Sequence, residues 1–243
     1  MSLRERIEQE IRQRGPIPFS RYMELCLYEP ELGYYARHAS QFGKAGDFYT
    51  SSDVHAVFGR LLARQFDEIW RALGSPTQVD LVELGPGRGL FAQDVLDWSE
   101  KKFPDFFGAA HYCLVESSPA LHERLKQTLA GRLASGKCRL ANLDIAAPLS
   151  GQVIVFANEF FDALPVEVIS AKGSLRVSAG NGRFVDTWVP PSAAELAYLD
   201  GYSVHPEPGE RVEATLLAQE TMSQLASAIE TGLFIAIDYG YTR

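Results

Sequence analysis

Long apolar runs are missing from this chain of 243 residues. Nothing in it approaches the roughly 18 consecutive apolar residues of a membrane-spanning helix, so no membrane insertion is expected. Cysteine is scarce: Cys26, Cys113 and Cys138 make an odd count without metal-ligand spacing, so buried, reduced thiols are expected and no metal site is read from them. Positive charge is in deficit, with 23 Lys and Arg against 31 Asp and Glu and a formal net charge of -8. An acidic surface argues against non-specific binding to a phosphate backbone, and no nucleic-acid partner is expected. No address segment is expected either. Residues 1–14 mix Glu5, Glu8 and Glu10 with arginines and hold no continuous apolar stretch, which fits neither a secretory signal nor an acid-poor transit peptide. Together with the thiols, this favours a bacterial cytoplasm over the mitochondrial matrix.

What is present is a globular composition, 46% hydrophobic and 22% charged, long enough for a substantial core in one large domain or a domain with an appendage. The chain is organised around residues 79–91, VDLVELGPGRGLF. Val79, Leu81, Val82 and Leu84 suit a strand buried on both faces. Gly85, Gly87 and Gly89 follow at once, and then a segment able to be helical. Such a strand, glycine turn and helix start make a ligand site. The turn lets backbone approach a cofactor, and the unpaired N–H groups of the first helical turn attract electron-rich groups. The dinucleotide fingerprint needs a glycine at position 90, where Leu90 stands, so nicotinamide-dependent oxidoreduction is disfavoured. An ordinary turn in an α/β domain is the plainer alternative.

Periodicity supplies the rest of the frame. Leu3, Ile7 and Ile11 give a short helix closed by Gly15-Pro16; a second carries Tyr22, Met23, Leu25 and Cys26, with Ser20 as candidate N-cap. Residues 54–73 are the clearest helix, with Val54, Val57, Phe58, Leu61, Leu62, Phe66, Ile69, Trp70 and Leu73 on a buried face that covers one side of the sheet. Further helices are expected from Leu90 to before Pro104, over 119–133, and over 212–230 with Leu216, Leu217, Met222, Leu225 and Ile229 inward. Buried strands are expected at 79–84, 112–116, 138–143, 153–157 and 233–237. Short ones at 166–169, 175–178 and 183–188 form an inserted hairpin or small sheet. The fold class is α/β, with an N-terminal helical and loop extension over 1–53 and the main domain over 54–243, interrupted by an insertion around 167–210. Little follows the fifth strand, which leaves a sheet edge exposed, so a longer parent protein or a completing partner is expected.

The candidate site residues cluster at strand exits. Residues 33–53, rich in glycine, aromatic and small polar residues, read as a long ordered loop. Within it, 46–53 can wall a cofactor through Asp47 and Thr50 or receive a substrate; a capping turn through Ser52 or Asp53 is the alternative. Glu116, 29 residues beyond Gly87, can accept bonds from both ribose hydroxyls of an adenosine-containing ligand, or cap the helix that starts at Pro119. Asp144 can sit near an adenine amino group or be a solvated turn residue. The fourth strand runs into Asn158, Glu159 and Asp162. In a doubly wound order it lies beside the first, so these three face the same crevice as Gly87. Glu159 and Asp162 can share one face of a short helical turn and orient a cationic nitrogen nucleophile or take its proton. Capping by Asn158 and Glu159, with Asp162 a surface acid, is the alternative.

The strand, glycine turn and acidic end of the second strand resemble a class I S-adenosylmethionine-dependent methyltransferase. The motifs GYY (33–35), GDFYTSSD (46–53), VELGPGRG (82–89), ANEFFDALPV (157–166) and DYGY (238–241) together resemble the MidA family, whose mitochondrial members are complex I assembly methyltransferases. The resemblance covers nearly the whole chain. It implies a doubly wound, Rossmann-like sheet of seven strands binding S-adenosylmethionine, with the terminal strands lying outside this chain. On the family pattern Glu83, Gly85, Gly87 and Gly89 surround the methionine portion and ribose, and Glu116 is the ribose-binding acid. Asn158, Glu159 and Asp162 match the segment beside the methyl donor and are the catalytic candidates. The mitochondrial relatives symmetrically dimethylate an arginine of a complex I subunit, which implies a protein substrate of that kind here. A non-enzymatic assembly or binding protein that keeps the pocket is the alternative.

Overall fold

A computed structural model describes residues 1–38, 56–141 and 149–239. Asp47, Thr50 and Asp144 lie outside them. Helix α1 (Leu3–Arg14) buries Ile7 and Ile11, as the four-residue spacing predicts. Ser2 and Glu5 close its start reciprocally: the Glu5 N–H donates to Ser2 Oγ at 3.3 Å and the Ser2 N–H to Glu5 Oε2 at 2.7 Å. After β1 (Ile17–Pro18), α2 (Phe19–Tyr28) begins with Pro18 in the cap position. Ser20 is therefore not the N-cap; it is the second residue of the helix, and its hydroxyl donates to Glu167 Oε1 at 2.5 Å. A five-residue α3 (Tyr34–His38) follows.

Helix α4 (Val57–Ala72) lays Ala63, Phe66 and Trp70 on the main core, with Phe58, Leu62, Ile69 and Leu73 packed against it. Val57 and Leu61 were expected inside but are 46% and 61% exposed. The apolar residues of this helix span more of its circumference than the arc that meets a sheet, so two of them face outward. Next come β2 (Val79–Leu84), α5 (Leu90–Lys102), α6 (Pro104–Ala109), β3 (Ala110–Val115), α7 (Pro119–Thr128), α8 (Ala130–Ala134), β4 (Cys138–Ala141) and β5 (Leu149–Asn158). The single helix expected over 119–133 breaks at Leu129, whose φ of -110° and ψ of 21° depart from helical values.

The insertion is built from β6 (Glu167–Ser170), β7 (Gly173–Gly180), β8 (Arg183–Val189), α9 (Ala193–Tyr202) and β9 (Arg211–Ala214); α10 (Leu216–Ala228) and β10 (Ile229–Ile237) complete the described chain. The helix expected over 212–230 is shorter than its pattern. Arg211–Ala214 pairs antiparallel with β6, placing fully buried Ala214 against Ile169 and Leu199, while Ile229 already belongs to β10. Leu225 is buried as expected, but Leu217 and Met222 are 40% and 39% exposed.

Two compact units result. Met1–Tyr34 with Ala163–Ser223 form one, joining the N-terminal segment to the insertion; Tyr35–Asp162 with Gln224–Arg243 form the other. The expected division at residue 53 follows chain order instead. In the first unit the strand path is β1-β7-β6-β9, with β8 also on β7. In the second, five parallel strands run β10-β5-β2-β3-β4, so the order reverses between β2 and β5. This is the doubly wound, Rossmann-like sheet. One face packs Phe66, Phe91, Tyr112 and Phe156, the Phe91 and Phe156 rings stacked at 4.7 Å; the other packs Val82, Leu84, Cys113, Val155 and Leu225. No helix among the described residues is long and apolar enough to cross a membrane.

Candidate functional site

Every described candidate lies at the carboxyl ends of β2, β3 and β5, within one compact unit. The glycine turn leaves β2 with Gly85, Gly87 and Gly89 all in the left-handed region, at φ of +64°, +54° and +78°. Backbone bonds fix it: the Gly85 N–H donates to Val115 O at 3.0 Å and the Gly89 N–H to Pro86 O at 2.9 Å. The three glycines differ in what a side chain would meet. A Cβ at Gly85 would stand 2.9 Å from Phe160 Cδ2, and one at Gly89 2.8 Å from Leu125 Cδ2. At Gly87 it would meet nothing within 4 Å among the described residues. Gly85 and Gly89 thus serve packing, whereas Gly87 presents bare backbone to open space. Gly89 is the N-cap of α5, so the N–H groups of the first turn of α5 lie at the same place.

Glu116 emerges from β3 beside this turn. It is 8% exposed, and its Oε1 accepts the N–H groups of Ser117 and Ser118, each at 2.9 Å. Burial pushes its carboxyl up, while those two N–H groups and that of Gly87 pull it back toward ionisation. The capping alternative falls to a neighbour: Ser118 Oγ accepts the Leu121 N–H at 3.4 Å and starts α7.

Glu83 sits beneath the turn, 5% exposed, and the Tyr112 hydroxyl donates to its Oε2 at 2.8 Å. Burial raises its carboxyl to about 8, and the Glu116 charge pushes the same way, against the Tyr112 bond. Tyr112, itself in the core, is a partner that periodicity registers only as an apolar strand residue.

The exit of β5 is held between two neighbours. Its Ala157 pairs with Leu84 of β2 and its Asn158 with Ile237 of β10. Beyond it the chain makes a bend and turn, so Glu159 and Asp162 do not share a helical face. The reason is local: Glu159 adopts φ +47°, outside helical space, and its N–H donates to Ile237 O at 2.8 Å. Asp238 then takes the N–H groups of Phe161 and Asp162 on its Oδ2 at 3.2 and 3.3 Å. The Tyr239 hydroxyl donates to Asp162 Oδ2 at 2.6 Å. That bond first, and then the charge of Asp162, raise the Tyr239 phenol to about 12. Asn158 Oδ1 and Asp162 Oδ1 are buried and have no hydrogen-bond partner among the described residues. Asp238 and Tyr239 stood in a sequence motif without a role, because that role exists only once β10 lies beside β5.

This set suits an adenosine-bearing ligand beside a group that donates hydrogen bonds. Gly87 offers an open approach, Glu116 a carboxylate at the second strand exit, and the end of β5 two buried acceptor oxygens that call for donors.

Comparison with known proteins gives the same direction. Residues 61–243 match the family model described as "Putative S-adenosyl-L-methionine-dependent methyltransferase". The "Protein arginine methyltransferase NDUFAF7 homolog, mitochondrial" of Drosophila melanogaster is 30% identical, covering 99% of this chain and 60% of its own length. Its Mus musculus counterpart, "Protein arginine methyltransferase NDUFAF7, mitochondrial", is 31% identical over 96% of this chain and 58% of its own. A crystal structure from Burkholderia thailandensis, bound to S-adenosyl-homocysteine, matches with a TM-score of 0.81 at 30% identity, covering 98% of this chain and 62% of that one. The chain thus spans about 60% of the length of the relatives it matches.

Proposed function

The chain belongs to this family of S-adenosyl-L-methionine-dependent methyltransferases, and on that footing we propose that it transfers a methyl group from that donor to an arginine of a protein, a respiratory complex I subunit or a related one. The observation that carries the reading is the juxtaposition at the switch point of the sheet: open Gly87 and buried Glu116 on one side, the unpartnered oxygens of Asn158 and Asp162 on the other. The donor, when bound, supplies a methyl carbon already made electrophilic by the adjoining sulfonium. Glu83, Gly85, Gly87 and Gly89 would hold its methionine portion and ribose, and Glu116 the ribose hydroxyls. Asp144 beside the adenine, with Asp47 and Thr50 over the donor, complete the binding set proposed from sequence.

The remaining work is alignment and proton handling. A guanidinium carries only hydrogen-bond donors, and the exit of β5 offers acceptor oxygens to meet them: Oδ1 of Asn158 and the carboxylates of Glu159 and Asp162. A carboxylate there, Glu159 or Asp162, orients the N–H groups in a fork and holds the cation in line with the methyl carbon. Since a protonated guanidinium has no good lone pair, a proton must leave as the new bond forms, and in this reading one of the same carboxylates takes it. The test is mass spectrometry of methylated proteins from cells with and without the gene. One arginine that loses methylation supports the proposal. Calorimetry with S-adenosyl-homocysteine and with nicotinamide dinucleotide completes it: binding of the nucleotide alone, or an unchanged set of methylated arginines, refutes it.

A further inference from the structure

Asp238 and Tyr239 leave β10 next to the exit of β5, and between them they fasten the turn that carries Asp162. Asp238 Oδ2 accepts the N–H groups of Phe161 and Asp162 at 3.2 and 3.3 Å, and its Oδ1 accepts the N–H of Tyr239 at 2.9 Å. The Tyr239 hydroxyl reaches back to Asp162 Oδ2 at 2.6 Å. Burial does not hold the ring there, since Tyr239 is 67% exposed; the tie is the short, charge-assisted bond from phenol to carboxylate. It occupies one oxygen only. Asp162 Oδ1 is buried without a partner among the described residues, as is Asn158 Oδ1 at the last position of β5. Leaving a buried acceptor without a donor is unfavourable, and the bond from Tyr239 holds the Asp162 carboxylate in that arrangement.

We propose that Asp238 and Tyr239 are positioning residues for the acceptor: they lock the Asp162 carboxylate by one oxygen so that the other is presented to the incoming guanidinium. The proposal rests on the arginine reading above and adds to it two residues from a different strand. Neither touches donor or acceptor; both act through Asp162. Removing the Tyr239 hydroxyl leaves the backbone ties of Asp238 in place but frees the Asp162 side chain, so transfer falls while donor affinity does not.

The test combines tritium transfer from labelled S-adenosylmethionine into the proteins of a lysate from cells lacking the gene, calorimetry with S-adenosyl-homocysteine, and backbone amide exchange. Tyr239→Phe and Asp238→Ala are expected to lower transfer about tenfold, the scale of one hydrogen bond to a charged group. Asp238→Asn, which keeps an acceptor oxygen, is expected to recover most of it, and all three are expected to bind S-adenosyl-homocysteine within about twofold of the wild type. Equal transfer by wild type and Tyr239→Phe overturns the proposal, and so does a parallel loss of donor affinity, which marks a structural tie. If the wild type binds the donor but labels nothing, the arginine reading fails separately. Exchange then decides the clamp: faster exchange confined to the Phe161 and Asp162 amides of Asp238→Ala supports it, and unchanged exchange overturns it.

Discussion

Gly87 and Gly89 both hold left-handed backbone, at φ of +54° and +78°, yet alanine is expected to fail at the two positions in different ways. The shared part is backbone strain, about 1–2 kcal/mol for a side chain in this region. At Gly89 the new methyl would also stand 2.8 Å from Leu125 Cδ2 and 3.2 Å from Leu129 Cδ1. Those leucines are 0% and 1% exposed and have little room to withdraw, so overpacking adds about 1–3 kcal/mol. With about 2–4 °C of melting temperature per kcal/mol at this chain length, Gly89→Ala is expected to melt roughly 4–20 °C lower and Gly87→Ala roughly 2–8 °C lower. Affinity should invert the ranking. A methyl at Gly87 enters open space, the side proposed for the donor, so S-adenosyl-homocysteine binding is expected to weaken by about tenfold or more. Gly89→Ala, folded at low temperature, should lose much less. Thermal unfolding and calorimetry at 15 °C on both variants check this; the reasoning is refuted if Gly87→Ala binds like the wild type, or if it is the less stable of the two.

Three further outcomes are expected. Glu159→Gln should abolish methyl transfer while leaving affinity for S-adenosyl-homocysteine largely intact; equal loss of both would make Glu159 a donor ligand or a structural residue. Glu116→Gln keeps the backbone hydrogen bonds but removes the charge proposed to meet the ribose, and calorimetry should show donor affinity down about tenfold with little change in unfolding, whereas unaltered affinity would separate Glu116 from the donor. Glu83 gives a pH signature. Its carboxyl is raised from 4.5 to about 8, so between those values the folded chain keeps a proton that the unfolded chain releases. Its stability contribution is therefore complete below about pH 4.5, is lost as pH rises, and levels off above about pH 8. The stability of Glu83→Gln relative to wild type should grow by up to about 4 kcal/mol from pH 5 to pH 8, at about 1.36 kcal/mol per unit, and parallel denaturation profiles would contradict it.

What could be read from the residues in order was what local periodicity and composition encode. The run at Val79–Leu84, the glycines after it and Glu116 are written within single segments, and a parallel sheet then brings their ends together by its own connectivity. Where the outcome depended on a distant strand, order along the chain was silent. The pattern over 212–230 looks helical throughout because four residues of period two precede a true helix, and only pairing with β6 separates them. Val57 and Leu61 satisfy helical spacing, but spacing does not say how wide the covered arc is. Glu159 is bent out of helical space by a bond to Ile237, a residue 78 positions away, and Asp162 is set by Asp238 and Tyr239. The strand exits at which Glu116, Asn158, Glu159 and Asp162 stand were therefore legible, and the way those residues are held was not.

A structure of the chain with S-adenosyl-homocysteine bound is the most direct measurement of the donor site. The expected result places the ribose hydroxyls on the Glu116 carboxylate, the ligand against the open side of Gly87, and the sulfur end toward Asn158 and Asp162. A ligand seated elsewhere on the sheet, touching neither Gly87 nor Glu116, would contradict it.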